Sequence, residues 1–195
     1  RVVYMGGDGT FAEASKGIIL ARERSGIDVP LGMLPMGTAN DQGRSFGIVS
    51  GEKSLRRNVD VIAEGIELRL DVGRIEAIDA DEKVVAQDLW FDSCGIGLSA
   101  QILYRRNRDR EWVEHVPLLR RLYRDKVVYT AATLRTLFRG LVGGASFSLE
   151  VTIDDVREEY FGVTDVLVQG TILYAGDWIF DPESKPDDGR FEVVI

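Results

Sequence analysis

Apolar and polar residues follow two different periods along this 195-residue chain. The apolar run Val2-Val3-Tyr4-Met5 predicts a strand, and apolar residues at helical spacing follow it until Ser25-Gly26. Thr10 and Glu13, at the start of that helix, fit a capping box. Val29–Pro35 predicts a second, buried strand. This strand–helix–strand order is typical of a parallel sheet.

The period changes after a second predicted helix. That helix extends from Glu52 to about Ala63, and Gly65 closes it. Apolar and polar residues then alternate from Ile66 to Val72, which predicts a strand, and a turn follows at Asp79–Glu82. The remaining predicted elements are strands at Val84–Phe91, Ser146–Ile153, Val163–Tyr174 and Phe191–Ile195, and an amphipathic helix at Leu118–Leu141.

The change of period predicts two domains, an α/β domain over residues 1–65 and a β-rich, antiparallel, sandwich-like domain over residues 66–195. Hydrophobic residues make up 45% of the chain, which is enough to bury a core. No apolar run reaches the length of about 18 residues that a membrane span needs. Because the N-terminal residues indicate a strand rather than a signal peptide, we expect a cytoplasmic protein.

The charge distribution is polarised. The chain carries 24 Lys and Arg residues against 32 Asp and Glu residues, a formal net charge of −8, which argues against non-specific binding of nucleic acid. Basic residues nevertheless cluster between Arg105 and Lys126. Such a cluster suits anionic lipid headgroups or nucleotide phosphates, and equally a solvated helix face. The single Cys94 and the single His115 exclude an internal disulfide and a structural zinc site.

A glycine-rich loop, Gly6-Gly7-Asp8-Gly9-Thr10, lies between the first predicted strand and helix. Its glycines let backbone N–H groups approach phosphate oxygens, and the N-terminus of the helix favours the same anion. A carboxylate would repel a bare triphosphate, so Asp8 implies a bound Mg²⁺, a proton taken from a hydroxyl, or both. The loop therefore indicates phosphotransfer chemistry. A second glycine-bearing loop, Met36–Asp41, follows the next strand.

Other phosphate-binding patterns fit less well. The first loop also matches the Gly-x-Gly-x-x-Ala dinucleotide fingerprint, but Pro35 stands where an acidic residue should end the next strand. The chain contains neither a Walker A sequence nor the His-Arg-Asp catalytic loop of protein kinases. A different class of phosphate-binding loop is needed.

Five segments together resemble the catalytic domain of the diacylglycerol kinase family, which includes sphingosine kinases and bacterial lipid kinases. They are Gly6–Thr10, Leu34–Asp41 with Arg44 and Phe46–Ile48 after it, Leu70–Gly73, Phe91–Gly97 and Asp187–Phe191. The resemblance implies the fold shared by diacylglycerol kinases and NAD kinases, in which an α/β nucleotide-binding domain precedes a β-rich domain. It also implies an ATP-dependent lipid kinase that transfers the γ-phosphoryl group of ATP to a lipid hydroxyl.

The resemblance further implies the residues of the site. Asp8 corresponds to the family's essential aspartate and is the predicted catalytic residue. Asp188 resembles a residue that holds a structural Mg²⁺ with the help of the backbone carbonyls of Lys185 and Arg190. ATP and Mg²⁺ are therefore the implied cofactors. The implied nucleotide-binding residues are Gly6, Gly7, Gly9, Thr10, Gly37, Thr38, Asn40 and Lys126.

The implied partners are a lipid substrate and a membrane that the protein contacts peripherally; a homodimer is left open. Two alternatives remain, a NAD kinase, which shares the Gly-Gly-Asp-Gly-Thr loop, and a non-catalytic fragment that binds a nucleotide or a lipid. The chain also departs from the family. Gln169 stands where many members have an asparagine at a strand end. The family sequence expected before Arg1 and the Asp-Gly-Glu segment expected after Ile195 are absent, so we expect an internal piece of a longer enzyme.

Overall fold

A computed structural model of the chain describes residues 1–37, 39–104, 146–174 and 178–195. Thr38, the basic cluster from Arg105 to Lys126 and the predicted helix at Leu118–Leu141 lie outside these residues. The chain divides into two compact units, one formed by Arg1–Cys94 and Val168–Glu192, the other by Gly95–Leu167 and Val193–Ile195. This division does not coincide with the domain boundary predicted at residue 65, which stays a prediction.

The described residues form strands and helices in an α/β order that gives way to strands. In chain order they are β1 (Val2–Gly6), α1 (Asp8–Ser25), β2 (Leu31–Pro35), α2 (Asp41–Ser45), α3 (Leu55–Glu64), β3 (Gly73–Ile78), β4 (Val84–Trp90), β5 (Ser93–Gly97), β6 (Phe147–Ile153), β7 (Val156–Val163), β8 (Asp165–Gln169) and β9 (Glu192–Val194). A 3₁₀ turn at Glu52–Ser54 leads into α3, and residues 98–104 are helical.

The α/β part of the first unit is built as predicted. Strands β1 and β2 pair in parallel, with Val2 opposite Leu31 and Gly6 opposite Pro35. Helix α1 connects them and buries Phe11 against Tyr4, with the ring centroids 5.8 Å apart. Because these strands are parallel, both of the glycine-bearing loops begin at the same end of the sheet.

The start of α1 differs from the capping-box prediction. The helix begins at Asp8 with Gly7 as its N-cap, and no side chain caps it. Thr10 is therefore an internal residue of the first turn. The C-terminal end is as predicted, since Gly26 takes a left-handed conformation and its N–H donates to the Arg22 carbonyl at 2.7 Å.

The strand predicted at Ile66–Val72 is wrong, because no strand begins before Gly73 in this described stretch. The backbone N–H of Asp71 donates instead to the Pro186 carbonyl at 2.7 Å, and Asp71 Oδ2 accepts the N–H of Gly189 at 2.7 Å. These two bonds attach the segment to a loop rather than to a neighbouring strand. Ile66 is 80% exposed, so the alternation of apolar residues here does not mark a buried face.

The rest of the described chain is largely β, and both of its hairpins are antiparallel, β3 with β4 and β6 with β7. Strands β5, β8 and β9 form a further sheet in the order β5-β8-β9. In the first unit, the Trp90 ring lies over Gly73 and its centroid is 4.6 Å from that of Phe191. The sequence did not predict β5 or β7.

The second unit is anchored at the start of its helical segment. Ser99 is buried, and both its hydroxyl and its N–H donate to Asp165 Oδ1, at 2.8 and 3.1 Å. Val163, Val166 and Leu167 are its buried apolar residues among those described. Across the described parts of the chain, no helix combines the length and the hydrophobicity needed to cross a bilayer.

Candidate active site

The first glycine loop is the direct junction of β1 and α1. Strand β1 ends at Gly6, Gly7 caps the helix, and Asp8 is the first helical residue. The free N–H groups of the first turn are thus presented at this junction, together with the positive end of an 18-residue helix. Burial, and to a smaller extent the charge of Asp8, raises the pKa of Tyr4 above its ordinary value.

The second loop is held in shape by Asn40. Its Oδ1 accepts the backbone N–H of Gly37 at 2.7 Å, and its Nδ2 donates to the Gly37 carbonyl at 2.6 Å. Asn40 is only 3% exposed and takes a left-handed conformation with φ 54°, which asparagine tolerates better than most residues. It is also the N-cap of α2. Asn40 therefore closes the loop on itself, and its side chain has a structural role.

The two loops touch through their backbones. A β-carbon on Gly37 would overlap the α-carbon of Gly7 and lie 2.9 Å from Asn40 Oδ1. A β-carbon on Gly7 would lie 3.0 Å from the α-carbon of Gly37. Glycine at both positions is therefore required by this close approach. The result is a close backbone approach of the two loops beside the N-terminus of α1.

Asp8 is oriented by helix α2, which follows the second loop. Its Oδ1 accepts the backbone N–H of Gln42, in the first turn of α2, at 3.2 Å. Sequence reasoning missed Gln42, because a backbone donor leaves no signature in residue type. This bond crosses between two elements that are far apart in sequence, and it places the predicted catalytic carboxylate beside both loops.

Two further carboxyl groups belong to the same neighbourhood, and sequence reasoning assigned a role to neither. Asp41 is buried at the start of α2, with its Oδ1 4.0 Å from Arg44 Nη1. Burial raises the pKa of Asp92 to about 7; a hydrogen bond from Thr171 opposes the rise, and the charges of Asp41 and Asp8 add to it. Asp41 and Asp92 both lie in segments that carried the family resemblance. The resemblance was therefore the signal in the sequence that could have indicated them as site residues.

The remaining predicted nucleotide-binding residues lie at the first loop or outside the described residues. Gly6 faces Thr10 closely, since a β-carbon on Gly6 would lie 2.5 Å from Thr10 Oγ1. A β-carbon on Gly9 would meet no described atom within 4 Å. The structure thus brings Gly6, Gly7, Gly9 and Thr10 to one junction. Thr38 and Lys126 are not among the described residues.

The predicted metal residues lie on the turn between β8 and β9. Asp188, Lys185 and Arg190 are exposed there, and Asp188 Oδ1 accepts the N–H of Arg190 at 3.1 Å. The bonds from Asp71 hold the same turn. Within the described ranges, no group of three or more His, Cys, Asp or Glu side chains is placed to hold a metal ion. Binding of Mg²⁺ by Asp188 stays a prediction.

Comparison with known proteins shows what this chain is similar to. Residues 1–75 match the family model described as the diacylglycerol kinase catalytic domain. Over the whole chain, a diacylglycerol kinase of Mycobacterium tuberculosis is 29% identical and one of Staphylococcus carnosus is 36% identical. The chain covers 54% and 53% of these two proteins, so it spans about half the length of the curated relatives that it matches.

The fold has also been seen in crystals. A structure of a diacylglycerol kinase from Bacillus anthracis str. Sterne matches 98% of this chain and 52% of its own, with a TM-score of 0.54 and 20% identity. At this identity the match concerns the fold, which is the predicted α/β arrangement followed by β-rich sheets. Residues 1–75, which contain both glycine loops, are therefore the part of the chain that is similar to the diacylglycerol kinase catalytic domain.

Proposed function

We propose that the protein is an ATP-dependent lipid kinase, which transfers the γ-phosphoryl group of ATP to the hydroxyl of diacylglycerol or a related lipid. The observation that carries the proposal is the backbone contact of Gly7 with Gly37, beside the Asp8 carboxylate, which accepts the backbone N–H of Gln42. The names of the matched family and of the full-length relatives support a lipid as the acceptor.

The residues present fit a nucleoside triphosphate. Phosphate oxygens need N–H donors at close range, and glycines at the N-terminus of a helix provide them. Gly7 and Gly9 would hold the phosphates, and Gly37, whose own N–H is bonded to Asn40 Oδ1, would let the backbone approach them closely. ATP would supply the transferred group. Mg²⁺ bound with ATP would neutralise phosphate charge. Catalysis of this kind depends mainly on positioning and on electrostatic stabilisation.

Asp8 would act on the acceptor. As a carboxylate fixed by one backbone hydrogen bond, it keeps lone pairs on its other oxygen for a hydroxyl proton. We propose this general-base role, with orientation of Mg²⁺ as the alternative. Asp188 and the carbonyls of Lys185 and Arg190 would hold a structural Mg²⁺, and Lys126 and Thr38 would contact the nucleotide.

The lipid must be reached at a membrane surface, so we propose a cytoplasmic protein that contacts membranes peripherally, with the basic cluster from Arg105 to Lys126 as the contact. A NAD kinase is the alternative enzyme, although the second loop and the named relatives favour lipid kinases. The non-catalytic alternative is a chain that binds ATP and has no acceptor.

The test is a radiolabelled-ATP assay on the protein that carries this chain, against diacylglycerol, sphingoid base, phosphatidylglycerol and NAD. Asp8→Asn preserves shape and removes the charge, so we expect turnover of the lipid to fall about 100-fold or more. Asp88→Asn is the control, because Asp88 is an exposed residue of β4 that pairs with Lys16. It should retain activity.

Three results would contradict the proposal. Wild-type turnover in a correctly folded Asp8→Asn protein would mean that the catalytic centre is elsewhere. Phosphorylation of NAD in preference to every lipid would favour the NAD kinase. ATP binding without transfer to any acceptor would favour the non-catalytic alternative.

A further inference from the structure

Helix α2 holds the backbone N–H that orients Asp8, but it is too short to fix its own position. It contains only the five residues Asp41–Ser45, and no side chain caps it. A helix of this length is unstable alone, because its few internal hydrogen bonds do not offset the entropy lost in ordering the chain. Contacts with other elements must therefore hold it. One is with β2, where a β-carbon on Gly43 would lie 3.1 Å from the Pro35 ring.

Phe46, the C-cap residue of α2, makes a second contact. Its ring packs edge-on against the ring of Phe11 in α1, with the centroids 6.4 Å apart and an interplanar angle of 61°. Its backbone N–H donates to the Gln42 carbonyl at 3.1 Å. Phe46 is thus bonded to the residue that holds Asp8, and it packs against the helix that begins with Asp8.

Two separate connections therefore join α2 to the start of α1. The first is the hydrogen bond from the Gln42 N–H to Asp8 Oδ1, at 3.2 Å. The second is the ring contact of Phe46 with Phe11, whose own N–H donates to the Gly7 carbonyl at 3.1 Å. Because a single connection would let α2 pivot, the ring contact is what keeps the Gln42 N–H directed at Asp8.

The ring of Phe11 also packs against a residue outside α2. Phe91, between β4 and β5, meets it edge-on with the centroids 5.6 Å apart and an interplanar angle of 77°. Phe46 and Phe91 are both partly buried and pack against the same core cluster. Loss of either ring should weaken that core, but only loss of Phe46 should release α2.

We propose that Phe46 is a positioning residue for phosphoryl transfer: its ring holds α2 against α1, so that the Gln42 N–H keeps the Asp8 carboxylate directed at the acceptor hydroxyl. This inference rests on the proposed function, since it needs Asp8 to act on the acceptor. Without the ring, α2 shifts and the carboxylate loses its fixed orientation. Binding of ATP should change less, because the bonds of Asn40 to Gly37 hold the second loop without Phe46.

The test is steady-state kinetics of Phe46→Ala with a lipid acceptor, in the protein that carries this chain. We expect kcat to fall about 10- to 100-fold, as for a slightly misplaced reacting group, and the KM for ATP to change by less than about threefold. Phe91→Ala is the matched control. It removes the same side chain from the same partner ring, and should lower kcat by less than about threefold. Phe46→Leu, which fills much of the same volume, should recover most of the lost kcat.

Two further measurements separate positioning from a general loss of packing. An Asp8→Asn protein has no carboxylate to orient, so adding Phe46→Ala should lower its residual turnover by less than about threefold. Amide hydrogen exchange, followed by NMR, should be faster at Gln42 in Phe46→Ala than in Phe91→Ala, and it needs no substrate. Thermal melting establishes that each variant is folded. If Phe46→Ala is not, Phe46→Val takes its place in every comparison.

Unchanged kcat in a folded Phe46→Ala protein would overturn the inference. An equal loss of kcat in Phe91→Ala, the full loss in the Asp8→Asn background, or equal exchange at Gln42 in the two alanine variants would also overturn it. Each of these results, with lipid turnover by the wild type, would leave the lipid-kinase proposal standing. If the wild type phosphorylates no lipid, the inference falls together with its premise.

Discussion

At the scale of single residues, the two loops of the candidate site differ in how much change they tolerate. Gly37 has no room for a β-carbon, because the backbone of Gly7 and the Asn40 side chain occupy that space. Gly9 has open space around its α-carbon among the described residues. Two glycines of similar appearance in the sequence thus have different constraints.

Gly37→Val should therefore raise the KM for ATP more than the KM for lipid. A β-branched side chain would separate the loops and disturb the backbone surface proposed to hold phosphate. Steady-state kinetics with each substrate varied separately measures the two constants. Gly17→Ala is the control, because a β-carbon on this internal residue of α1 would meet no described atom within 4 Å, and it should leave both constants unchanged. An unchanged KM for ATP in a folded Gly37→Val protein would mean that this loop does not contact the nucleotide.

Asp92 also gives a residue-scale prediction about stability. Its pKa is 3.8 in the unfolded reference and about 7 in the fold, so the folded state prefers the protonated form. Below the lower pKa both the folded and the unfolded state are protonated, so this group does not lower the free energy of unfolding. As the pH rises between the two values, only the unfolded state ionises, and the free energy of unfolding falls by about 2 to 4 kcal/mol.

Asp92→Asn should remove this loss. Denaturant unfolding of both proteins at pH 4 and at pH 8 gives the comparison, and the difference between variant and wild type should shift in favour of the variant at pH 8. Using the change with pH, rather than the absolute stability, cancels any packing effect of the substitution itself. Equal pH dependence of the two proteins would mean that Asp92 ionises normally in the fold.

At the scale of elements, Asn40 determines the shape of the second loop and the start of α2. It combines a left-handed backbone with two hydrogen bonds to Gly37. Asn40→Ala loses the two hydrogen bonds and also the tolerance of asparagine for a left-handed backbone. It should lower the free energy of unfolding by about 1 to 3 kcal/mol. Asn40→Gly, which restores the backbone freedom only, should recover part of that loss in denaturant unfolding. Identical stability of the two variants would assign the whole effect to the side-chain bonds.

The elements also show what the sequence could predict. Local signals were sufficient for α1, β2 and the β3–β4 turn, because apolar spacing and turn residues act over a few positions. The strict alternation at Ile66–Val72 gave a wrong strand prediction. The conformation of that segment is set by hydrogen bonds between Asp71 and a loop more than a hundred residues later in the chain. Thr10 misled because Gly7 caps α1 without any side chain.

The candidate site was predictable to a similar extent. The family motifs pointed to Asp8, Gly37 and Asn40, which the structure brings together, while their roles in binding and catalysis stay predictions. The hydrogen bond from the backbone N–H of Gln42 to Asp8 and the one from Thr171 to Asp92 both join segments that are distant in the sequence. No local pattern could therefore reveal them.

At the scale of the whole molecule, the net charge of −8 opposes binding to anionic membranes, so the proposed membrane contact requires the basic cluster to overcome this charge locally. Charge reversal at Arg120, Arg121 and Arg124 together should weaken binding to vesicles that contain phosphatidylglycerol, since each basic residue near such a surface contributes about 1 kcal/mol. Added salt should have the same effect.

Vesicle sedimentation measures this binding. Reversal at Lys53, Arg56 and Arg57, which are exposed around the start of α3, changes the net charge equally and is the control. It should have a smaller effect. If neither added salt nor charge reversal at Arg120, Arg121 and Arg124 changed vesicle binding, the basic cluster would not be the membrane contact.

The packing of Trp90 gives the protein an optical reporter of its own. The indole lies over Gly73, packs against Phe191 with the two rings tilted by 49°, and lies 3.5 Å from the position that a β-carbon on Gly170 would take. Gly170 in turn bonds to the backbone of Asp92. Trp178 is 61% exposed, so a water-soluble quencher suppresses its emission first. In a Trp112→Phe variant, which removes the third tryptophan of the chain, the shielded part of the fluorescence therefore follows the order of the strand end beside Asp92 without any attached dye.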